Sequence, residues 1–190
     1  MTSVVDHLLS QPVPFVVLPA PRARTVREAA AQHDVDLREL VRTDVIVTST
    51  GPVYLAVPAG RALDVTLARS AVGESDSRMA THAEIRAFVP GCEVDGLPPL
   101  SQFLIAPVFV DTTIAELDQV VFPAGRTSTL ICMQRADLFN EQPVTVARLT
   151  NGDPALASIV APSRRLVLTD QELVPFHLQA GGGRRPKVVA

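Results

Sequence analysis

Apolar residues along this chain follow two rhythms, and the switches between them divide it into short elements. Val4, Val5, Leu8 and Leu9 recur at helical spacing behind Ser3, which is placed to cap a short helix over residues 3–9. Pro14 to Leu18 is an apolar run of strand length. Thr25-Val26-Arg27-Glu28 has the form of a capping box and predicts a helix through Ala29, Ala30 and Ala31. Leu40 to Thr48 reads as a strand that breaks at Ser49-Thr50-Gly51-Pro52, and Val53 to Val57 returns as its hairpin partner. Asp64 is placed to cap a helix over Val65, Leu67, Ala68 and Ala71. A second capping box, Thr81-His82-Ala83-Glu84, starts a helix that ends near Pro90.

Beyond Pro90 the pattern changes. Gly91 to Ser101 is rich in glycine and proline, and Phe103 to Val110 is a nearly continuous apolar run that reads as a strand. Asp111-Thr112-Thr113 caps a short turn through Ile114 and Leu117. Gln119 to Phe122 and Thr127 to Met133 read as two more strands around Pro123-Ala124-Gly125-Arg126, and Ala136 to Asn140 as a closing helical turn. Strands mixed with hairpins and single helices predict an α/β or α+β domain with a mixed sheet rather than a strict βαβ repeat. Residues 1–150 are taken as that domain. Residues 151–190 are taken as a C-terminal extension or linker, opening at Asn151-Gly152-Asp153-Pro154 and closing on Gly181-Gly182-Gly183-Arg184-Arg185-Pro186-Lys187, with one apolar stretch between, Arg165 to Phe176.

Composition narrows the classes. Hydrophobic residues make up 47% and charged ones 19%, so most of the 190 residues are expected to fold. Aromatics are only 4%, with no Trp and a single Tyr, leaving Val, Leu, Ile and Ala to fill the core. No apolar run approaches the ~20 residues of a membrane span, and the N-terminus lacks the basic start and long apolar core of a signal peptide. Cys92 and Cys132 form no CxxC pair, and His7, His33, His82 and His177 have no ligand spacing. The expectation is a cytoplasmic protein without disulfide, metal or other cofactor. A net charge of −3 argues against broad nucleic-acid binding, DNA included, yet leaves room for a local cationic pocket that grips one RNA end.

The loop Gly91-Cys92-Glu93-Val94-Asp95-Gly96-Leu97-Pro98-Pro99-Leu100-Ser101 is the candidate site. Glycine lets backbone N–H groups approach a ligand closely, and prolines hold the chain stiff so that such donors are already in place. The same composition also serves ordinary connections. Arg42 lies in an apolar strand next to Asp44, and has two readings: a site cation, or an outward arginine paired with an acid. Asp111 reads as a helix cap, Cys92 as a small buried residue with no His placed to activate it, and Gly125 as a backbone requirement of its turn. Thr127 and Ser128 are either hydrogen-bond donors to a substrate or plain strand-end hydroxyls.

Taken in order, Thr25 to Ala30, Leu40-Val41-Arg42-Thr43, the turn Pro58 to Asp64, the Gly91 to Ser101 loop, Pro107 to Asp111 and Ala124 to Ser128 resemble the YbaK/ProX family, the editing domains associated with prolyl-tRNA synthetase. The resemblance runs from about Pro14 to Leu138. It implies a mixed, barrel-like sheet surrounded by helices. It also implies metal-free hydrolysis of the ester joining a wrong amino acid to the terminal adenosine of a tRNA, often that for proline. On that reading the chain is an aminoacyl-tRNA deacylase, a carboxylic ester hydrolase acting in trans. Its partners are an aminoacyl-tRNA acceptor end and an aminoacyl-tRNA synthetase. Arg42 anchors the terminal nucleotide, backbone amides from Gly96 to Pro99 hold the carbonyl, and a bound water attacks. Asp95, Leu97, Pro98, Ser101, Gly125, Thr127 and Ser128 complete the substrate pocket.

Three positions depart from the family pattern. Arg42 stands where the family usually has lysine, Asp95 where members often have a glycine beside Gly96, and Ser101 where they have glycine. Arginine keeps the charge but is planar and does not deprotonate near neutral pH. These departures carry the alternative: a catalytically inactive binding or regulatory module on the same fold, within a multidomain protein. Oligomeric state, the amino acid removed and the tRNA are left open.

Overall fold

A computed structural model describes residues 3–140 and 143–151. The elements run α1 (Val4–Leu9), β1 (Phe15–Pro19), α2 (Val26–Gln32), β2 (Val41–Thr48), β3 (Gly51–Pro58), α3 (Val65–Val72), β4 (Arg78–Met79) and α4 (His82–Phe88). A single 3-10 turn (Val94–Gly96) follows, then α5 (Ser101–Leu104), β5 (Val108–Asp111), α6 (Thr112–Ala115), β6 (Gln119–Pro123), β7 (Thr129–Gln134), α7 (Arg135–Asn140) and β8 (Thr145–Ala147). The expected extension from residue 152 onward, with the Arg165 to Phe176 stretch and the basic tail, lies outside the described residues.

Helix starts follow local chemistry. Ser3 and Asp6 form a reciprocal capping box on α1, and Thr81 and Glu84 form the expected one on α4. Asp64 accepts from the amides of Thr66 and Leu67 to open α3. The box expected on α2 is half-formed: Thr25 Oγ1 accepts from Glu28 N–H, but the Glu28 carboxylate accepts from Arg24 N–H at 2.8 Å instead of from Thr25.

The strands make two sheets, β1-β7-β6 and β4-β2-β3-β5-β8. β2 and β3 form the expected hairpin, with Thr48 opposite Gly51 across a two-residue turn at Ser49-Thr50. β5 joins β3 in parallel and β8 joins β5 in parallel, which makes the larger sheet mixed. Just before β2 the chain bridges to the other sheet: Val121 N–H donates to Glu39 C=O at 2.9 Å, and Leu40 pairs with Val121. This single bridge bends the strands partway around a common core without closing a barrel. The predicted class, α/β with a mixed sheet flanked by helices, is the observed one.

Two predictions need correction. Phe103 to Val110 is not one strand: Ser101–Leu104 is helical, and only Val108–Asp111 pairs. An unbroken apolar run does not distinguish a buried helix from a buried strand. Here Ile105 turns into the left-handed region (φ 53°) and Pro107, without an N–H, precedes the strand, so the run divides. β8 was not expected at all. Its residues are partly exposed, and its pairing with β5 is set by a distant partner rather than by its own pattern.

Aliphatic side chains fill the interior. The main core joins β1, β2, β3, β5, β6 and β7 through Phe15, Val41, Val45, Tyr54, Val110, Phe122 and Ile131, and reaches Leu97 and Leu100 of the glycine-proline loop. Each fully buried side chain of this kind contributes about 1.5–3 kcal/mol. The loop therefore rests on the core by its own apolar residues. Asp111 closes the base of the larger sheet. Its Oδ1 accepts from Thr113 N–H and Oγ1, as the cap predicted, and its Oδ2 accepts from Leu149 N–H, Thr150 N–H and Thr150 Oγ1.

Candidate functional site

β4 is only two residues long, and that shortness opens a site. Met79 and Arg78 pair with Ile46 and Val47, and Ala80 N–H donates to Val45 C=O at 2.9 Å, after which the chain turns away into α4. Between the Leu40–Val121 bridge and Val45 the edge of β2 has no strand beside it. Antiparallel alternation turns the backbone N–H and C=O of Thr43 toward the same open edge as Val45. Along this edge lies a cleft of about 330 Å³. Its floor is β2 from Arg42 to Val45. Thr25 to Arg27, at the start of α2, with Ala59, form one wall, and Met79, Ala80, His82 and Ile85 the other. Val94 and Asp95 cover the rim. A volume of this size accommodates a small organic ligand.

Salt bridges and caps fix the walls. Arg78 spans from β4 to α4 and binds the Glu84 carboxylate at 2.6 and 2.9 Å. That ion pair, with the hydrogen bonds from Thr81, holds the Glu84 carboxyl down at about 2. Arg27 donates to Ala59 C=O, tying α2 to the turn after β3.

The floor is charged and incompletely paired. Arg42 Nη2 sits 3.0 Å from Asp44 Oδ2, an ion pair without hydrogen-bond alignment, so the expected arginine–acid pairing and membership of the cleft are both present. Arg42 Nε and Thr43 Oγ1 are shielded from solvent and have no hydrogen-bond partner among the described residues. Thr43 as a whole is 9% exposed. Burial pushes the Asp44 carboxyl above its ordinary range; Arg42 pulls it back down, and the charge of Asp95 raises it further. Orphaned buried polar groups each cost about 1–3 kcal/mol, and they are explained where a ligand supplies the missing partners.

The glycine-proline loop supports the rim rather than lining the cleft. Glu93 N–H donates to Gly125 C=O at 2.9 Å and Gly125 N–H to Gly96 C=O at 2.8 Å, so the loop and the β6–β7 turn are laced together. The Glu93 carboxylate accepts from Thr127 N–H and Oγ1 at 2.8 and 2.9 Å. A Cβ at Gly96 would stand 2.7 Å from the backbone C and O of Gly125, so only glycine allows this approach. Gly125 itself has φ +85°, a turn conformation glycine adopts without strain.

Of the ten residues singled out from sequence, Arg42 and Asp95 line the cleft. Gly96, Gly125 and Thr127 belong to the lacing behind the rim, and Ser128 C=O accepts from Ala20 N–H at the foot of β7. Leu97, Pro98 and Pro99 are buried. Between Gly96 and Pro99 the prolines have no N–H, Gly96 N–H donates to Glu93 C=O, and Leu97 is buried at the end of the 3-10 turn, so none of the amides expected to hold a carbonyl lines the cleft. Ser101 faces a separate depression bordered by Ile105, Pro107 and Val144. Sequence reasoning did not assign Thr43, Asp44, Met79 or His82 to the site. Asp44, two positions after Arg42, was the one signal available for them. Cys92 is half-buried with its thiol pushed up by burial, and Asp111 is spent on hydrogen bonds, so neither offers a poised nucleophile. Among the described residues no group of three His, Cys, Asp or Glu is arranged to hold a metal, and no helix is long and apolar enough to cross a membrane.

A family model of the aminoacyl-tRNA editing domain matches residues 20–140, well over half of the chain and every strand from β2 to β7. The chain belongs to that family. Solved structures place the editing-domain fold in context. A candidate trans-editing enzyme for prolyl-tRNA synthetase is 26% identical, with a TM-score of 0.64 over 72% of this chain and 86% of its own. The hypothetical protein APE2540 shares 22% identity, with a TM-score of 0.70 over 78% of this chain and 99% of its own. A candidate signal transduction protein from Marinobacter aquaeolei VT8 shares the fold at 17% identity and a TM-score of 0.59, the match covering 78% of this chain and 30% of that one. No curated protein matches the chain. In this editing domain the cleft is built from the matched segment, and Arg42 at its floor is the cation the resemblance singled out.

Proposed function

We propose that the protein hydrolyses the ester that joins a mischarged amino acid to the 3′ end of a tRNA, with tRNA for proline as the leading class, in the cleft along the open edge of β2. The observation that carries this reading is Arg42: a guanidinium in a small-ligand cleft of an editing domain, with Nη2 held by Asp44 and Nε left without a partner. A planar, permanently charged donor set suits the terminal phosphate or the carbonyl oxygen as negative charge develops there. A water admitted beside the ester attacks the carbonyl carbon, the C–O bond to the ribose breaks, and the ribose oxygen leaves with a proton. Arg27 extends the cationic side of the cleft toward the nucleotide. The 26% identical structural neighbour, a candidate trans-editing enzyme for prolyl-tRNA synthetase, supports the choice of tRNA and of a synthetase as partner.

The test is release of labelled amino acid from a panel of aminoacyl-tRNAs, including Ala-tRNA and Cys-tRNA for proline. Turnover well above spontaneous hydrolysis on at least one mischarged tRNA is expected. Hydrolysis at the spontaneous rate across the panel would overturn the enzyme reading and leave a binding module on an editing fold.

A further inference from the structure

The far edge of the larger sheet carries an apolar face that the described residues leave uncovered. β8 ends the strand order, so alternate residues of it turn N–H and C=O toward β5 and the others toward an open edge. Val108 and Val110 of β5 lie in the main core, and Val144, just before β8, packs against that core. Val146, two positions on and paired with Val110, faces the same way, yet is 47% exposed. Beside Val144 runs a groove of about 650 Å³ lined by Ile105, Ala106, Pro107 and Pro143. Ile105 stands 90% exposed at its lip, with φ 53°. A β-branched residue is rare in that left-handed region, and here a strained backbone holds up an apolar side chain without cover. Ile105 and Val146 are the two most exposed large apolar side chains among the described residues, and both belong to this edge.

We propose that Leu166-Val167-Leu168, from the C-terminal extension, adds to the open edge of β8 as an antiparallel strand and covers this face. The chain enters the extension from the edge itself, because Asn151 follows Ala147 by four positions. The amides of Leu149 and Thr150 donate to Asp111, and Thr150 bridges to Leu63, so the chain does not fold straight back at Asn151. Ala155 to Ser158, next in line, is poor in strand formers, and Ile159-Val160 is cut short by Pro162. Leu166-Val167-Leu168-Thr169 is the first run beyond them with strand character. The fourteen residues between Asn151 and Leu166 reach about 50 Å when extended, ample for a return past Arg148. Alternation puts Leu166 and Leu168 on one face, to lie beside Val144 and Val146 with the Ile105 side chain against them. Such a strand gives the outward N–H and C=O groups of β8 their partners and removes an edge open to other chains.

Hydrogen–deuterium exchange on the full chain tests this, comparing wild type, Leu166→Asp/Leu168→Asp and Val146→Lys. Val146 lies outside the buried core, so its substitution keeps the fold, which circular dichroism checks for every variant. In wild type the amides of 166–168 are expected to exchange at least ~10-fold more slowly than an unstructured chain. Either variant abolishes that protection, and the double variant speeds exchange in β8 at least ~10-fold. Unprotected amides at 166–168 in wild type, or β8 exchange unchanged in the double variant, overturn the proposal. So does β8 protection that rises with protein concentration, which assigns the edge to a second copy, and so does protection at 155–161 instead of 166–168.

Discussion

Gly96→Ala tests how the rim of the cleft is held. Gly96 does not have a positive φ, so its backbone tolerates alanine; what forbids a side chain is space. The new Cβ would stand 2.7 Å from the C and O of Gly125 and 2.8 Å from Arg126 N, against an ordinary contact of 3.4 Å or more, and all three atoms are backbone. Relief requires the loop and the β6–β7 turn to separate by about 0.7 Å. Overpacking of this kind costs about 1–3 kcal/mol. Separation also stretches the bonds of Gly125 N–H to Gly96 C=O (2.8 Å) and Glu93 N–H to Gly125 C=O (2.9 Å), each contributing about 1 kcal/mol. The sum is about 3–5 kcal/mol, or a fall in Tm of roughly 6–20 °C for a domain of this size. Gly73→Ala is the control, because its φ is +78° with nothing within 4 Å of the new Cβ, and only the left-handed backbone is penalised, by about 1–2 kcal/mol. Thermal and urea unfolding of both variants measure the difference. A Gly96→Ala protein melting within about 2 °C of wild type, or above Gly73→Ala, would refute the steric argument.

Further predictions concern charge. Asp111→Ala strands the amides of Thr113, Leu149 and Thr150 in the interior and should cost about 3–5 kcal/mol in urea unfolding, with faster amide exchange at Leu149 and Thr150; loss of under 1 kcal/mol would contradict the network. Although burial alone would raise the Asp111 carboxyl, its hydrogen bonds hold it below the ordinary range. Its contribution is therefore present above the unfolded value and lost as pH falls through the lowered one, a loss that Asp111→Asn should not show in acid unfolding curves. Asp44 has the opposite sign: burial raises its carboxyl, so the ionised form is the strained one and stability is lost as pH rises through the folded value. Asp44→Asn should then melt no lower than wild type at pH 7, with the difference vanishing below the ordinary carboxylate range. The Glu84 carboxyl should titrate near 2 by NMR and move up toward ordinary glutamate in Arg78→Ala.

What the sequence made legible was local. Asp64, Thr81 and Asp111 cap helices because each bonds to amides two or three residues away, and the β2–β3 hairpin is set by a turn between adjacent strands. Phe103 to Val110 does not run as the one strand expected because apolarity alone says buried, not how the backbone runs. β8 was invisible because Thr145 to Ala147 owe their conformation to Phe109, Val110 and Asp111, more than thirty residues earlier. The site divides in the same way. Arg42 and Asp95 were reached through family resemblance, whereas Thr43, Met79 and His82 enter the cleft only because β4 stops after two residues and exposes the edge of β2. The loop that drew attention by composition holds the rim through Gly96, Glu93 and Thr127, a role that depends on where the β6–β7 turn lies in space.

Steady-state deacylation of the best mischarged tRNA by wild type, Arg42→Ala and Arg42→Lys, each shown folded by its melting curve, tests the central claim most directly. If the open edge of β2 is the hydrolytic site, Arg42→Ala loses roughly 100-fold in kcat/KM, about 2.7 kcal/mol of transition-state stabilisation, and Arg42→Lys recovers part of it. A folded Arg42→Ala protein with wild-type turnover would place the chemistry elsewhere and contradict the account.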